Sequence, residues 1–281
     1  MESCALLVNW KVQECGRGVV GNSMRHSFPQ EHDQSCRESQ CHAPRVLRMG
    51  EIVYPGDELE LFAQAHRWRQ YWTGQVGRFI TGHTIEVGAG IGSLTKHIAH
   101  QVEFLTSVEP DPNLNLQLAQ TVATERLANV NIVLGTLSDL DESACVDSIV
   151  YADVLEHIEA DGEEVLAASR LLKTGGHLVV LVPAHQWLYS PFDAGVGHYR
   201  RYSRKRLLCL TPPGFRMVEL KFLDATGLAL SAANRLLLRS GMPNRSQVAL
   251  WDRFFIKASK FADPLFGFRF GKSCVVVWRK D

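Results

Sequence analysis

Glycines at positions 88, 90 and 92 alternate through Thr84–Ile85–Glu86–Val87–Gly88–Ala89–Gly90–Ile91–Gly92–Ser93–Leu94–Thr95. An apolar run enters this turn and a helical pattern leaves it. Glycine has no Cβ and tolerates positive φ, so such a turn lets a ligand approach bare backbone. The helix that follows is expected to present free N–H groups and a positive dipole end. Two carboxylates close later strand-like runs: Glu109 in Val108–Glu109–Pro110–Asp111, and Asp153 in Ala152–Asp153–Val154–Leu155–Glu156–His157–Ile158. A carboxylate placed like Glu109 can accept hydrogen bonds from both hydroxyls of a ribose. Further on come His185–Gln186–Trp187–Leu188–Tyr189–Ser190–Pro191–Phe192–Asp193 and Gly197–His198–Tyr199–Arg200–Arg201–Tyr202. Their aromatics can wall an apolar site, and their arginines can pair with carboxylate or phosphate.

Alternating elements must position these residues. Strand-like runs fall at 84–87, 104–109, 130–134, 148–152 and 177–182, and helical stretches at 92–100, 112–127 and 162–172. Apolar residues at three- and four-residue intervals, Tyr71 among them, predict one helix over 58–80. The alternation implies parallel strands joined by right-handed helical crossovers. The last third reads as a strand at 215–224, an apolar helix at 226–239, a helix at 247–262 and a strand at 273–279. The final strand is expected to run antiparallel at the sheet edge. The fold class is thus α/β: a doubly wound, mostly parallel seven-stranded sheet with helices on both faces and an antiparallel edge strand.

The 281 residues suit one such domain, taken as 50–281, with a cofactor half at 58–183 and a lid with C-terminal helices at 184–281. Residues 1–49 lack a periodic apolar pattern and are expected to form a disordered extension. The 30 basic and 30 acidic residues balance, so no global field favours nucleic acid. No run is long and apolar enough for a membrane span, and the amino-terminal residues make a poor signal peptide. Seven scattered cysteines suit a reducing, cytoplasmic compartment. Cys36, Cys41 and His42 lack a second pair at zinc-ligand spacing, so no metal is expected.

Two ligand classes compete for the glycine turn, dinucleotides and S-adenosylmethionine. A dinucleotide fingerprint wants its third glycine at the sixth position, where Ser93 stands; glycine falls instead at the fifth, Gly92. The choice comes from motif order: the glycine turn, Glu109, the Val154–Leu155–Glu156–His157–Ile158 segment, then Leu172–Lys173–Thr174–Gly175–Gly176 before a strand. In this order the chain resembles the class I S-adenosylmethionine-dependent methyltransferases, of a bacterial-type small-molecule subgroup, over about residues 58–185. Weaker likeness extends to the C-terminus.

The resemblance implies a Rossmann-like fold and S-adenosyl-L-methionine as cofactor. It places Glu86, Gly88, Ala89, Gly90 and Gly92 around the methionine and ribose portion, and Glu109 on the ribose diol with Pro110 at the adenine edge. Thr136 and Leu137 would flank adenine, although many relatives carry Asp where Thr136 stands. Asp153 would lie near the methionine amine. Tyr71 resembles an aromatic that closes over the cofactor, and reads equally as core packing of an amphipathic helix. His198 and His157 are the only histidines nominated as bases. Trp187, Tyr189, Tyr199, Arg200 and Arg201 are candidate substrate contacts, or an ordered lid whose arginines pair with Asp193 and other protein acids. The apolar helix near Leu228 and Leu230 covers the sheet, shields a greasy substrate or grazes a membrane. The expected activity is methyl transfer to a small-molecule or lipid-like acceptor, at oxygen, with protein or RNA methylation and a non-catalytic scaffold as rivals.

Overall fold

The computed structural model describes residues 54, 56, 58–141, 145–235 and 243–281, so the expectations for residues 1–49 lie outside the described residues. Seven strands form one sheet in the order β3-β2-β1-β4-β5-β7-β6. They are β1 (His83–Val87), β2 (Phe104–Glu109), β3 (Val130–Leu134), β4 (Val146–Ala152), β5 (Leu172–Pro183), β6 (Phe215–Leu223) and β7 (Ser273–Lys280). The helices among them are α1 (Glu58–Ala63), α2 (His66–Val76), α3 (Thr95–Ile98), α4 (Pro112–Thr124), α5 (Asp161–Leu171), α6 (Pro191–Gly195), α7 (Arg204–Cys209), α8 (Ala225–Ala233), α9 (Arg245–Leu250) and α10 (Ile256–Leu265).

β1 pairs in parallel with β2 on one side and β4 on the other. Chain order therefore reverses beside β1, and its carboxyl end opens at the crevice where ligands bind in such sheets. Among the described strands only β7 runs against the rest, hydrogen-bonded to β5 and to β6. It lies one place in from the edge that the sequence reading gave it, and composition explains why. Cys274, Val275, Val276, Val277 and Trp278 are fully buried, as a strand covered on both faces requires, whereas β6 carries Glu219 and Lys221 and suits a rim.

Side-chain alternation divides the core into two clusters, one on each face. Ile85, Ile149, Leu178, Val180 and Val276 belong to one; Val150, Val179, Leu181, Val275 and Val277 belong to the other, with Trp68, Tyr71 and Trp72 of α2.

The helix expected over 58–80 is broken. α2 restarts at His66 because Asp252, far along the chain, accepts from the backbone N–H groups of Arg67 at 3.2 Å and Trp68 at 2.8 Å. A second buried acid fastens the same region. Asp263 accepts from the Tyr71 hydroxyl (2.8 Å) and from the backbone of Asp224 (2.7 Å) and Ala225 (2.9 Å), where β6 hands over to α8. Asp263→Ala leaves three buried donors unpaired and is expected to cost about 3 kcal/mol or more, against about 1 kcal/mol for Tyr71→Phe. Urea unfolding of both variants measures this; equal losses would mean that the carboxylate does not gather the three segments.

Candidate active site

β1, β2 and β4 end side by side, so the turn after β1 meets Glu109 at the end of β2 and Asp153 just past β4. Gly88, Gly90 and Gly92 all have positive φ, at 70°, 55° and 81°. Each serves differently. A Cβ on Gly88 would stand 2.6 Å from Val154, and one on Gly92 would crowd Leu118 and Thr121 of α4 at 3.0–3.1 Å. A Cβ on Gly90 would meet Leu59 at 3.6 Å, an ordinary contact, so here the positive φ rather than crowding favours glycine.

The glycine amides of the turn itself are spent inside the protein. Gly88 and Ala89 both donate to the Val108 carbonyl, Gly92 donates to that of Ala89, and Gly90 donates to the Glu109 carboxylate at 2.7 Å. The helix that follows, α3, has only four residues, too short for a strong dipole end. The turn offers closeness, and the polar anchor is a side chain. Glu109 is held at both oxygens, one by Gly90 and the other by the Asp111 backbone at 2.9 Å. Burial raises its carboxyl pKa against these hydrogen bonds. Each oxygen retains lone-pair capacity for a further donor.

Glu86 is buried at the centre of the sheet, accepting from Thr95 (2.6 Å) and Ser107 (2.9 Å) through one oxygen. Desolvation pushes its pKa up to about 7. Asp153 takes φ +56° and opens to solvent at the mouth, yet protein surrounds its carboxylate. Burial lifts it to about 6, opposed by His198, Lys272 and Arg201. Lys272, which precedes β7, also lies 3.7 Å from Asp224.

The segment after β5 folds over the carboxyl end of β4. Asp193 is fully buried and grips Arg201 with both oxygens, at 2.7 and 3.0 Å, while one of them lies 3.0 Å from His198 Nδ1. These partners hold Asp193 well below the usual carboxylate range despite burial. His198 packs edge-on against His157 with ring centres 4.5 Å apart, and its Nε2 stands 3.9 Å from Glu156. Burial lowers the His157 pKa to about 4, with His198 adding to the shift, so His157 is neutral near pH 7. Glu156 is fully buried and neither carboxylate oxygen has a hydrogen-bond partner. Burial, then Asp153, drives its pKa well above the ordinary value. Ligand atoms of Glu156, His157 and His198 lie within 4.8 Å of one another, a grouping absent from the sequence spacing.

Several of the expected contact residues have partners within the protein. Tyr71 takes the packing alternative: it is buried, with its hydroxyl on Asp263. Leu137 is a core residue, and Thr136 spends its hydroxyl on Asp139 and Ser138. Arg201 is occupied by Asp193; Arg200 lies 3.0 Å from Asp161 and donates to the carbonyls of Ile158 and Glu159. Tyr189 donates to the His198 carbonyl at 2.6 Å. These three build the lid. Trp187 and Tyr199 are about half exposed, and Pro110 is half-buried beside Glu109.

Two residues escaped the sequence reading. Tyr54 donates its backbone N–H to Asp111 at 2.7 Å, bonds Glu58 through its hydroxyl and sets its ring 5.4 Å from that of His157. It bridges the two halves of the site, and only its place before Pro55–Gly56 hinted at this. Arg69 of α2 is buried with its charge felt at Glu86. Its polar position on an apolar helix face was the available signal.

Residues 85–180 match a family model described as a methyltransferase domain. A ubiquinone biosynthesis O-methyltransferase of Xylella fastidiosa (strain 9a5c) is 31% identical over 98 residues, 34% of this chain and 39% of that protein. A demethylmenaquinone methyltransferase of Tropheryma whipplei (strain Twist) is 29% identical over 146 residues, 51% of this chain and 57% of that one. The matches thus cover less than two thirds of these relatives. Among solved structures, coclaurine N-methyltransferase bound to N-methylheliamine and SAH superposes with TM-score 0.54 at 14% identity, covering 77% of this chain and 72% of that one. This last likeness concerns the fold.

The elevated Glu86 pKa makes stability pH-dependent. The fold holds this proton more tightly than the unfolded chain, whose carboxyl titrates near 4.5, so its contribution falls as pH rises from there to about 7 and is level above. Glu86→Gln is expected to remove that component, of order 3 kcal/mol. Urea unfolding at pH 5 and pH 8 compares the two; parallel losses in both proteins would contradict the assignment.

Proposed function

We propose that this chain, whose residues 85–180 match a methyltransferase domain, is a class I S-adenosylmethionine-dependent methyltransferase that transfers a methyl group to a small-molecule or lipid-like acceptor, at oxygen. The observation that carries this reading is Glu109, oriented at both oxygens beside the backbone of Gly90. That pair suits an adenosine ribose: diol donors to the carboxylate, and sugar against a backbone without Cβ. Asp153 at the mouth suits the methionine amine, with Pro110 and the Thr136 backbone beside the adenine. When bound, S-adenosyl-L-methionine supplies an electrophilic methyl on a sulfonium leaving group. The names of the quinone-pathway relatives support a small acceptor.

The chain's own residues then align the acceptor and remove its proton. Asp193 accepts from His198 Nδ1, which leaves Nε2 as the free base in the neutral ring. Arg201 keeps Asp193 ionised, so the imidazolium formed on proton uptake gains a buried counter-charge. His157, neutral against the His198 ring, adds no competing charge. Trp187 and Tyr199 offer exposed aromatic faces to an apolar acceptor. Localisation in the cytoplasm fits the scattered cysteines; among the described residues no helix is long and apolar enough to cross a membrane.

A second reading has one observation behind it. The orphaned oxygens of Glu156, close to His157 and His198, suit a divalent cation. On that reading a chelator abolishes turnover; with His198 as base, turnover survives it.

Incubation with methyl-labelled cofactor and fractionated extract is expected to label the lipid or small-molecule fraction, whereas label in protein or RNA would refute the acceptor class. With the labelled acceptor, His198→Ala is expected to lower kcat about 100-fold or more with little change in the KM for cofactor. An unchanged kcat would remove His198 from the chemistry.

A further inference from the structure

From residue 245 to 265 the chain is helical throughout, α9 passing through one π-turn (Trp251–Phe255) into α10. Its inner face is fixed. Ile256 and Ser259 are buried, and the only acids between 245 and 270 turn inward: Asp252 onto the start of α2, Asp263 onto Tyr71 and α8. Its outer face is unusual for a surface in water. Phe261 and Leu265 are each 81% exposed, Phe254 is 55% exposed and Phe270 54%. Phe254, Ala258, Phe261 and Leu265 recur at spacings of four, three and four, which on an α-helix is one stripe. Beside it Arg253, Lys257 and Lys260 follow the same spacings, and Arg269 lies just past the helix; all four are exposed.

We propose that this face docks on an anionic lipid bilayer. The argument is charge complementarity joined to apolar exposure. Between 253 and 270 every exposed charge is positive and the one carboxylate is buried, so the face attracts anionic headgroups without a penalty from acids of its own. Large aromatic and aliphatic side chains line one stripe and long cationic ones the adjacent stripe, the arrangement of an interfacial helix lying in the membrane plane. A protein partner would be expected to place some acid or polar rim among the phenylalanines. A bilayer needs only this separation. The inner face of the helix is fastened to α2 and to the end of β6 through Tyr71, Asp263 and Asp224, and Asp224 accepts from the Trp251 indole at 2.8 Å. The surface stands on exposure and charge alone and does not depend on the methyl-transfer reading.

Sedimentation of the full chain with phosphatidylcholine vesicles, with and without phosphatidylglycerol, tests this. Binding is expected with phosphatidylglycerol, weak without it, and reduced by salt. Phe261→Ser with Leu265→Ser, and separately Lys257→Glu with Lys260→Glu, should each lower the partition at least about tenfold. All four positions are exposed, so circular dichroism and S-adenosylhomocysteine binding should be unchanged, which separates failure of this surface from failure of the site. No sedimentation of the wild type, or sedimentation of both variants equal to that of the wild type, overturns the proposal. So does a wild-type dimer in lipid-free sedimentation velocity that becomes monomeric in the Phe261→Ser, Leu265→Ser variant, since the face would then belong to a second copy.

Discussion

One backbone N–H ties the candidate site together. Gly90 donates to Glu109, joining the turn after β1 to the end of β2, while the Asp111 amide holds the second carboxylate oxygen. The constraint propagates outward. Asp111 caps α4 through Asn113 and Leu114, α4 packs on Gly92 through Leu118 and Thr121, and Tyr54 is bound to Asp111 in turn. A buried carboxylate normally costs free energy unless hydrogen-bonded. Here the hydrogen bonds that offset the cost also fix the direction in which the remaining lone pairs point.

The lid solves a related electrostatic problem. Asp153, Glu156 and Asp193 crowd the carboxyl end of β4 with acidity, and Arg201, His198 and Lys272 answer it. Asp193 receives most of the compensation and stays ionised. Glu156 receives almost none through hydrogen bonds, and its proton affinity rises accordingly. This uneven sharing makes His198 a histidine with one nitrogen committed and one available. Arg201 and Arg200 answer two buried acids, Asp193 with His198 and Ser190 beside it, and Asp161 with Arg206 and Tyr202 beside it.

Much of this was legible in the sequence, for reasons that vary by element. β2 and β3 occupy the expected residues because short apolar runs bounded by turns leave little choice. The doubly wound order followed from alternation, and Glu109 from its place at the end of the second strand. The break before α2 was illegible because its capping acid, Asp252, is remote in the chain. Tyr71 could not be assigned because aromatic spacing on a helix looks the same whether the hydroxyl meets a ligand or Asp263. The fate of the turn amides was hidden too, since their acceptors, Val108 and Glu109, depend on strand register. β7 was misplaced by one position, although its unbroken Cys274–Val275–Val276–Val277–Trp278 run, set against the charged alternation of β6, carried the signal.

The central claim is that Glu109, oriented by Gly90, makes this crevice an adenosine site. Calorimetric titration of the full chain with S-adenosylhomocysteine, repeated for Glu109→Ala, tests it most directly. Loss of two charge-assisted hydrogen bonds predicts binding weakened by about 100-fold or more in the variant. Equal affinity in the two proteins, or no binding by folded wild type, would contradict it.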